Sequence, residues 1–156
     1  IINVIKDSRG YIANGHTYMN HPINCAAAVA VQKEINERDL IGNVAKQGAY
    51  LRARLEETFG QNPYVGDIRG RGLMQAMEFV TNRDSKEAFA PDTQLWQKLQ
   101  KTAMTHGLMC YPNQGTVDGV KGDHVILAPP YIINEAQIDE LVEKLEKSVT
   151  EVFNQL

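Results

Sequence analysis

A chain of 156 residues is long enough for one full domain with a real core, or for a small domain plus a piece of another. Its 43% hydrophobic and 22% charged residues are ordinary for a soluble globular protein, and no apolar run approaches membrane-spanning length. The net charge of -3 argues against a nucleic-acid or membrane partner, because polyanion surfaces need a positive excess, and it leaves the Arg69-Gly70-Arg71-Gly72 run as weak evidence for RNA binding.

Residues 1 to 14 hold a short apolar start and the polar turn Lys6-Asp7-Ser8-Arg9-Gly10. The chain opens on Ile1-Ile2-Asn3, with no initiator Met and no secretory signal, so it is expected to begin inside a longer protein. The two cysteines, Cys25 and Cys110, form neither a metal pair nor a C-x-x-C, which fits a reducing cytoplasm; both read as small buried thiols.

Gly15-His16-Thr17-Tyr18-Met19-Asn20-His21 is a polar loop that runs into a small-residue helix. Pro22 suits the first helical position, with Asn20 or His21 as the cap. Two imidazoles, a phenol and a hydroxyl beside a positive helix end would suit an anion such as phosphate. An ordinary capped loop accounts for the same residues. The helix spans Pro22 to about Arg38, with one face (Ile23, Ala26, Ala27, Ala30, Val31, Ile35) predicted to be buried.

A second helix is predicted from Leu40 to Phe59, with Ile41, Val44, Gly48, Leu51 and Leu55 on its inner stripe and Gly60 as its stop. Gly42 and Gly48 each cost about 1 kcal/mol relative to alanine inside a helix, which points to close packing or a bend. From Tyr64 to Val80 the alternation of Leu73, Gln75, Met77 and Phe79 with Met74, Ala76, Glu78 and Val80 is that of a strand, with Gly70 and Gly72 as a bulge before it. Thr81 to Ala90 is a loop, and Asp92 is expected to cap a helix carrying Leu95, Trp96, Leu99 and Ala103.

Leu108 to Tyr111 and Val125 to Leu127 read as short strands joined by a glycine-rich loop, a candidate hairpin. Asn134 and Gln137 form a capping box that starts the strongest helical stripe of the chain, from Ile138 to Phe153. The second half is therefore a small α+β layer, with helices against a mostly antiparallel sheet.

Three stretches carry a resemblance: Gly15 to Ala28; Gly66-Asp67-Ile68-Arg69-Gly70-Arg71-Gly72-Leu73-Met74; and Gly122-Asp123-His124-Val125-Ile126-Leu127-Ala128-Pro129-Pro130. Together they resemble the C-terminal part of class III (omega-type) aminotransferases, which are pyridoxal 5'-phosphate enzymes of fold type I, and the resemblance covers nearly the whole chain. It implies an α/β fold in which residues 1–40 end the large cofactor domain, 41–60 form a connecting helix and 61–156 form the small C-terminal α+β domain. It implies a homodimer that shares its cofactor sites and acts on small amines or amino acids and keto acids or aldehydes.

Thr17 matches the family threonine that binds the cofactor phosphate of the neighbouring subunit, and His16 the position before it, with a weaker role. The resemblance places the catalytic lysine upstream of Ile1, so the chain supplies no catalytic residue and is expected to be inactive alone. The residues agree: an aldimine lysine needs a desolvated, partly apolar pocket, whereas every lysine here lies on a polar helix face or in a charged or glycine-rich loop. Several relatives carry an arginine for a substrate carboxylate where this chain reads Val117-Asp118-Gly119-Val120-Lys121. Lys121, Arg69 and Arg71 are the remaining cations nearby. The alternative is a non-catalytic α+β ligand-binding or dimerisation module.

Overall fold

The structure, a computed structural model, describes residues 2–11 and 14–156. The chain divides into two compact units, Ile1–Arg38 and Asp39–Leu156. The first contains helices α1 (Ile2–Asp7) and α2 (Pro22–Glu37), joined by the loop that holds His16 and Thr17. α2 forms where the small-residue periodicity predicts it, yet none of its residues is buried. Its apolar face is exposed except for the half-buried Ile35, and Cys25 is exposed too, contrary to the burial expected of them. Amphipathic spacing marks a face that can be buried, without supplying the surface that covers it.

The second unit starts at α3 (Leu40–Phe59), whose N-cap Asp39 adopts a left-handed φ of 45° and accepts from the Gly42 amide. Leu40, Gln47, Gly48, Leu51, Leu55 and Phe59 form its buried stripe, while Ile41 is exposed. β1 (Val65–Arg71) and β2 (Met74–Phe79) follow as an antiparallel hairpin, where alternation alone reads one continuous strand. The reversal sits at Gly72-Leu73, with Gly72 at φ 55°, a backbone shape that glycine adopts without steric cost.

A 3₁₀ turn (Pro91–Thr93) precedes α4 (Leu95–Thr105), so Asp92 lies before the helix and does not cap it. β3 (Tyr111–Asn113) pairs with β4 (Asp123–Leu127), and the predicted strand over Leu108–Tyr111 is displaced toward Asn113. α5 (Glu135–Phe153) begins with the complete Asn134–Gln137 capping box.

The four strands are ordered β1-β2-β4-β3, and every pair is antiparallel. Alternation sends Ile68, Met77, Phe79, Val125 and Leu127 to one face, where they meet Leu51, Leu55, Leu99, Ile138, Val142 and Leu145 of the helices. The fold is thus α/β, with an antiparallel sheet covered by helices. Phe153 closes the core's far end, stacked on Tyr64 with ring centroids 4.5 Å apart. α3 is tied to α5 by Asp139, which accepts from both the Tyr50 hydroxyl and the Arg54 guanidinium at 2.9 Å. Partial burial pushes the Cys110 thiol up to about 11, leaving it protonated at neutral pH. No described helix is long and apolar enough to cross a membrane.

Candidate functional site

The loop before α2 is held by its own backbone. The Met19 amide donates to the His16 carbonyl at 3.0 Å and the His21 amide to the Tyr18 carbonyl at 3.2 Å, with Asn20 at a left-handed φ of 60°. The Tyr18 amide donates to His16 Nδ1 at 3.2 Å, and this bond assigns the ring proton to Nε2, which is then a donor. His21 takes the N-cap position, but neither it nor Asn20 supplies a side-chain cap. The first-turn amides that follow Pro22 are therefore left without a side-chain partner. Thr17 lies exposed in the same turn, and its hydroxyl makes no hydrogen bond among the described residues. A hydroxyl, an imidazole N–H and a bare first turn on a 16-residue helix form a donor set suited to the phosphate end of a cofactor.

The residues that would anchor the reactive end are not present in the same way. No described lysine is buried: Lys46 pairs with Glu135, Lys144 with Glu140, Lys147 with Glu143, and the Lys86 ammonium donates to the Gly66 carbonyl. None sits in the enclosed, apolar pocket that a Schiff-base lysine needs.

The second unit presents a polar row that the sequence motifs only partly reveal. In register across all four strands, Asp67 faces Glu78, Glu78 faces His124, and His124 faces Asn113. Arg69 bridges Asp67 at 2.8 Å and Glu78 at 2.6 Å, while the Thr116 hydroxyl donates to the other Glu78 oxygen at 2.8 Å. Burial alone would raise the Glu78 pKa, but the bonds from Arg69 and Thr116 outweigh it and hold the carboxyl below its ordinary value. Arg69 is thereby committed to structure. Arg71 is exposed and has no ion pair among the described residues.

Thr116 also anchors the 114–122 loop to the sheet, and Asp118 closes that loop by accepting from the Val120 and Lys121 amides. Glu78 and Thr116 escape the motif reading, although the alternation that sends Met77 and Phe79 inward places Glu78 on the opposite face.

The chain matches the aminotransferase class-III family model over residues 1–149 and belongs to that family, the pyridoxal-phosphate-dependent omega type. An aminotransferase of Schizosaccharomyces pombe, itself uncharacterized, is 46% identical over 150 residues, or 96% of this chain and 33% of that protein. An uncharacterized aminotransferase of Bacillus subtilis is 35% identical over 156 residues, or 100% of this chain and 35% of that protein. Among solved structures, a transaminase from the marine bacterium Virgibacillus superposes with a TM-score of 0.86 at 30% identity, over 98% of this chain and 34% of that one. A PLP-bound mutant aminotransferase from Vibrio fluvialis does so with a TM-score of 0.82 at 30% identity, over 98% and 32%. The chain spans about a third of the length of the relatives it matches.

Proposed function

We propose that this chain is the C-terminal portion of a class III aminotransferase that moves an amino group between an amine or amino acid and a keto acid or aldehyde. In this reading residues 1–40 end the large domain, 41–60 form the connecting helix and 61–156 form the small domain. The enzyme acts as a homodimer in the reducing cytoplasm, and Thr17 serves the partner's site. The observation that carries the proposal is the exposed Thr17 hydroxyl, next in sequence to His16 and ahead of the uncapped start of α2, in a chain of this family.

Thr17 donates its hydroxyl proton to a phosphate oxygen, and the α2 N-terminus adds its positive end. His16 lies next to it, oriented by the Tyr18 amide. Pyridoxal phosphate, when bound, supplies the electron sink that amino-group transfer requires. The lysine that holds it, and the group that moves the substrate proton, are contributed by residues outside this chain. With Arg69 committed to Asp67 and Glu78, a substrate carboxylate is left to Arg71, Lys121 or no cation of this unit.

In the full-length enzyme, Thr17→Ala is expected to weaken pyridoxal phosphate binding by about 1.5–3 kcal/mol, roughly ten- to a hundredfold, with Thr17→Ser retaining most of the affinity. Unchanged affinity on titrating the apoenzyme would remove Thr17 from the phosphate site. The isolated chain is expected to show no turnover, and a borohydride-fixed cofactor on one specific lysine of this chain would overturn that. The alternative, a non-catalytic module, draws support from one observation: the whole buried core lies within Asp39–Leu156.

A further inference from the structure

We propose that an apolar notch beside the start of α5 is filled, in the full-length protein, by apolar side chains of the polypeptide that precedes Ile1. This rests on the reading of the chain as a C-terminal portion. The notch is a cavity of about 420 Å³ whose walls include Leu108, Leu127, Pro129, Ile133 and Leu141. Leu108, Leu127 and Ile133 belong to the buried core and Leu141 packs against it, so the cavity is a gap in the surface of the core itself. At its edge Met109 is 85% and Ile132 55% exposed. Large apolar side chains gathered around an apolar cavity mark a surface made for contact.

The walls are built before anything fills them. The Asn43 side-chain amide donates to the Tyr131 and Ile133 carbonyls at 2.6 and 3.1 Å, and the Ile133 amide donates to the Pro130 carbonyl at 3.0 Å. These bonds pin the turn between β4 and α5, so seating an occupant requires little rearrangement.

The chemistry of the walls selects the occupant. Gln137 Oε1 accepts from the Asn134 amide in the capping box, Glu140 is paired with Lys144 at 2.6 Å, and Pro129 and Pro130 carry no amide N–H. A small-molecule site needs a few free polar groups to fix its ligand, whereas this wall offers chiefly hydrocarbon. A second copy fits no better, because a two-fold contact pairs a surface with itself and a concavity does not fill itself. Eleven residues line the notch, against roughly 20–30 a side in a stable interface between free proteins, so it suits a segment already tethered to it. The chain spans 33% and 35% of two of its relatives, which leaves ample polypeptide for that role.

The test exposes the full-length enzyme and the 156-residue chain to hydroxyl radicals and maps the oxidised peptides by mass. Met109 should react about tenfold more slowly in the full-length enzyme, as burial under a closed segment requires. Because a loosely folded short chain would also label fast, a cross-link is the deciding arm. Benzoylphenylalanine is placed at Met109 and, separately, at Ile132 of the full-length enzyme, which is irradiated in dilute solution. Each position is expected to join a residue that precedes Ile1 in the same polypeptide. A link to a second copy, a link only to residues 1–156, or no link at all overturns the proposal. If the full-length enzyme binds pyridoxal phosphate while Met109 labels as fast as in the short chain, the notch is open and the reading of a C-terminal portion stands. If the polypeptide that carries this chain holds nothing before Ile1, both fall.

Discussion

Asp123 is 4% exposed, and its carboxylate accepts the Trp96 amide at 3.1 Å, capping α4 from the neighbouring strand where Asp92, closer in sequence, does not. Burial pushes its pKa up, and the bond from Trp96 offsets this only in part. A carboxyl that binds its proton more tightly when folded contributes stability that is full below the unfolded value, about 3.9, and is lost as pH rises through the folded one. Asp123→Asn keeps the acceptor without the buried charge, so at pH 7 it should be neutral or more stable, while Asp123→Ala should cost about 1–2 kcal/mol. Urea unfolding at pH 7 and below pH 4 checks both, because any advantage of the Asn variant must vanish in acid. Glu78 has the opposite sign. Its pKa is lowered, so its contribution is present above the ordinary glutamate range and is lost as pH falls through its folded value. Glu78→Gln should cost about 1 kcal/mol at pH 7 and progressively less in acid. A constant difference from pH 7 to 3 in urea unfolding would refute the role assigned to its bonds with Arg69 and Thr116.

At the scale of the element, α3 shows how far local pattern reaches. Its bounds follow from the apolar stripe, and the internal Gly48 signals close packing before any partner is known. A Cβ at Gly48 would fall 2.4 Å from the Gly72 carbonyl carbon and 2.5 Å from its Cα, so the helix lies directly against the hairpin turn. Gly48→Ala should therefore destabilise by about 2–3 kcal/mol despite alanine's better helix propensity, since rigid backbone on both sides leaves nowhere for a methyl to go. Thermal unfolding of the variant measures it, and a gain in stability would show that the contact yields. The hairpin itself is not legible in the same way. Residues 64–80 keep one alternation through Gly70 and Gly72, and only the positive φ of Gly72 makes the second glycine a reversal where sequence reads a bulge. The α4 cap escapes for a related reason: its acceptor comes from Asp123, 27 residues away in sequence, and no local motif reports it.

In the whole molecule, the motifs reveal the family and direct the proposal to the loop of Thr17, whereas the polar row on the sheet depends on pairings between strands that are distant in sequence. Asp67, Glu78, His124 and Asn113 become neighbours only through the β1-β2-β4-β3 order. The same long-range pairing concentrates the buried core. All its members lie between Leu51 and Val152, and neither α1 nor α2 contributes a buried residue. Hydrophobic burial is the main term opposing chain entropy, so residues 39–156 hold the means to fold, while residues 1–38 have little to offset the cost of order. Residues 39–156 expressed alone should unfold cooperatively, with a midpoint within about 5 °C of that unit's transition in the 156-residue chain. An isolated peptide of residues 14–38 should be mostly unstructured in water, because a 16-residue helix without packing is marginal. Calorimetry on the first and circular dichroism on the second test the division. A broad, non-cooperative transition for 39–156 would mean that the core needs the first unit, and with it the loop of Thr17, to become a fold at all.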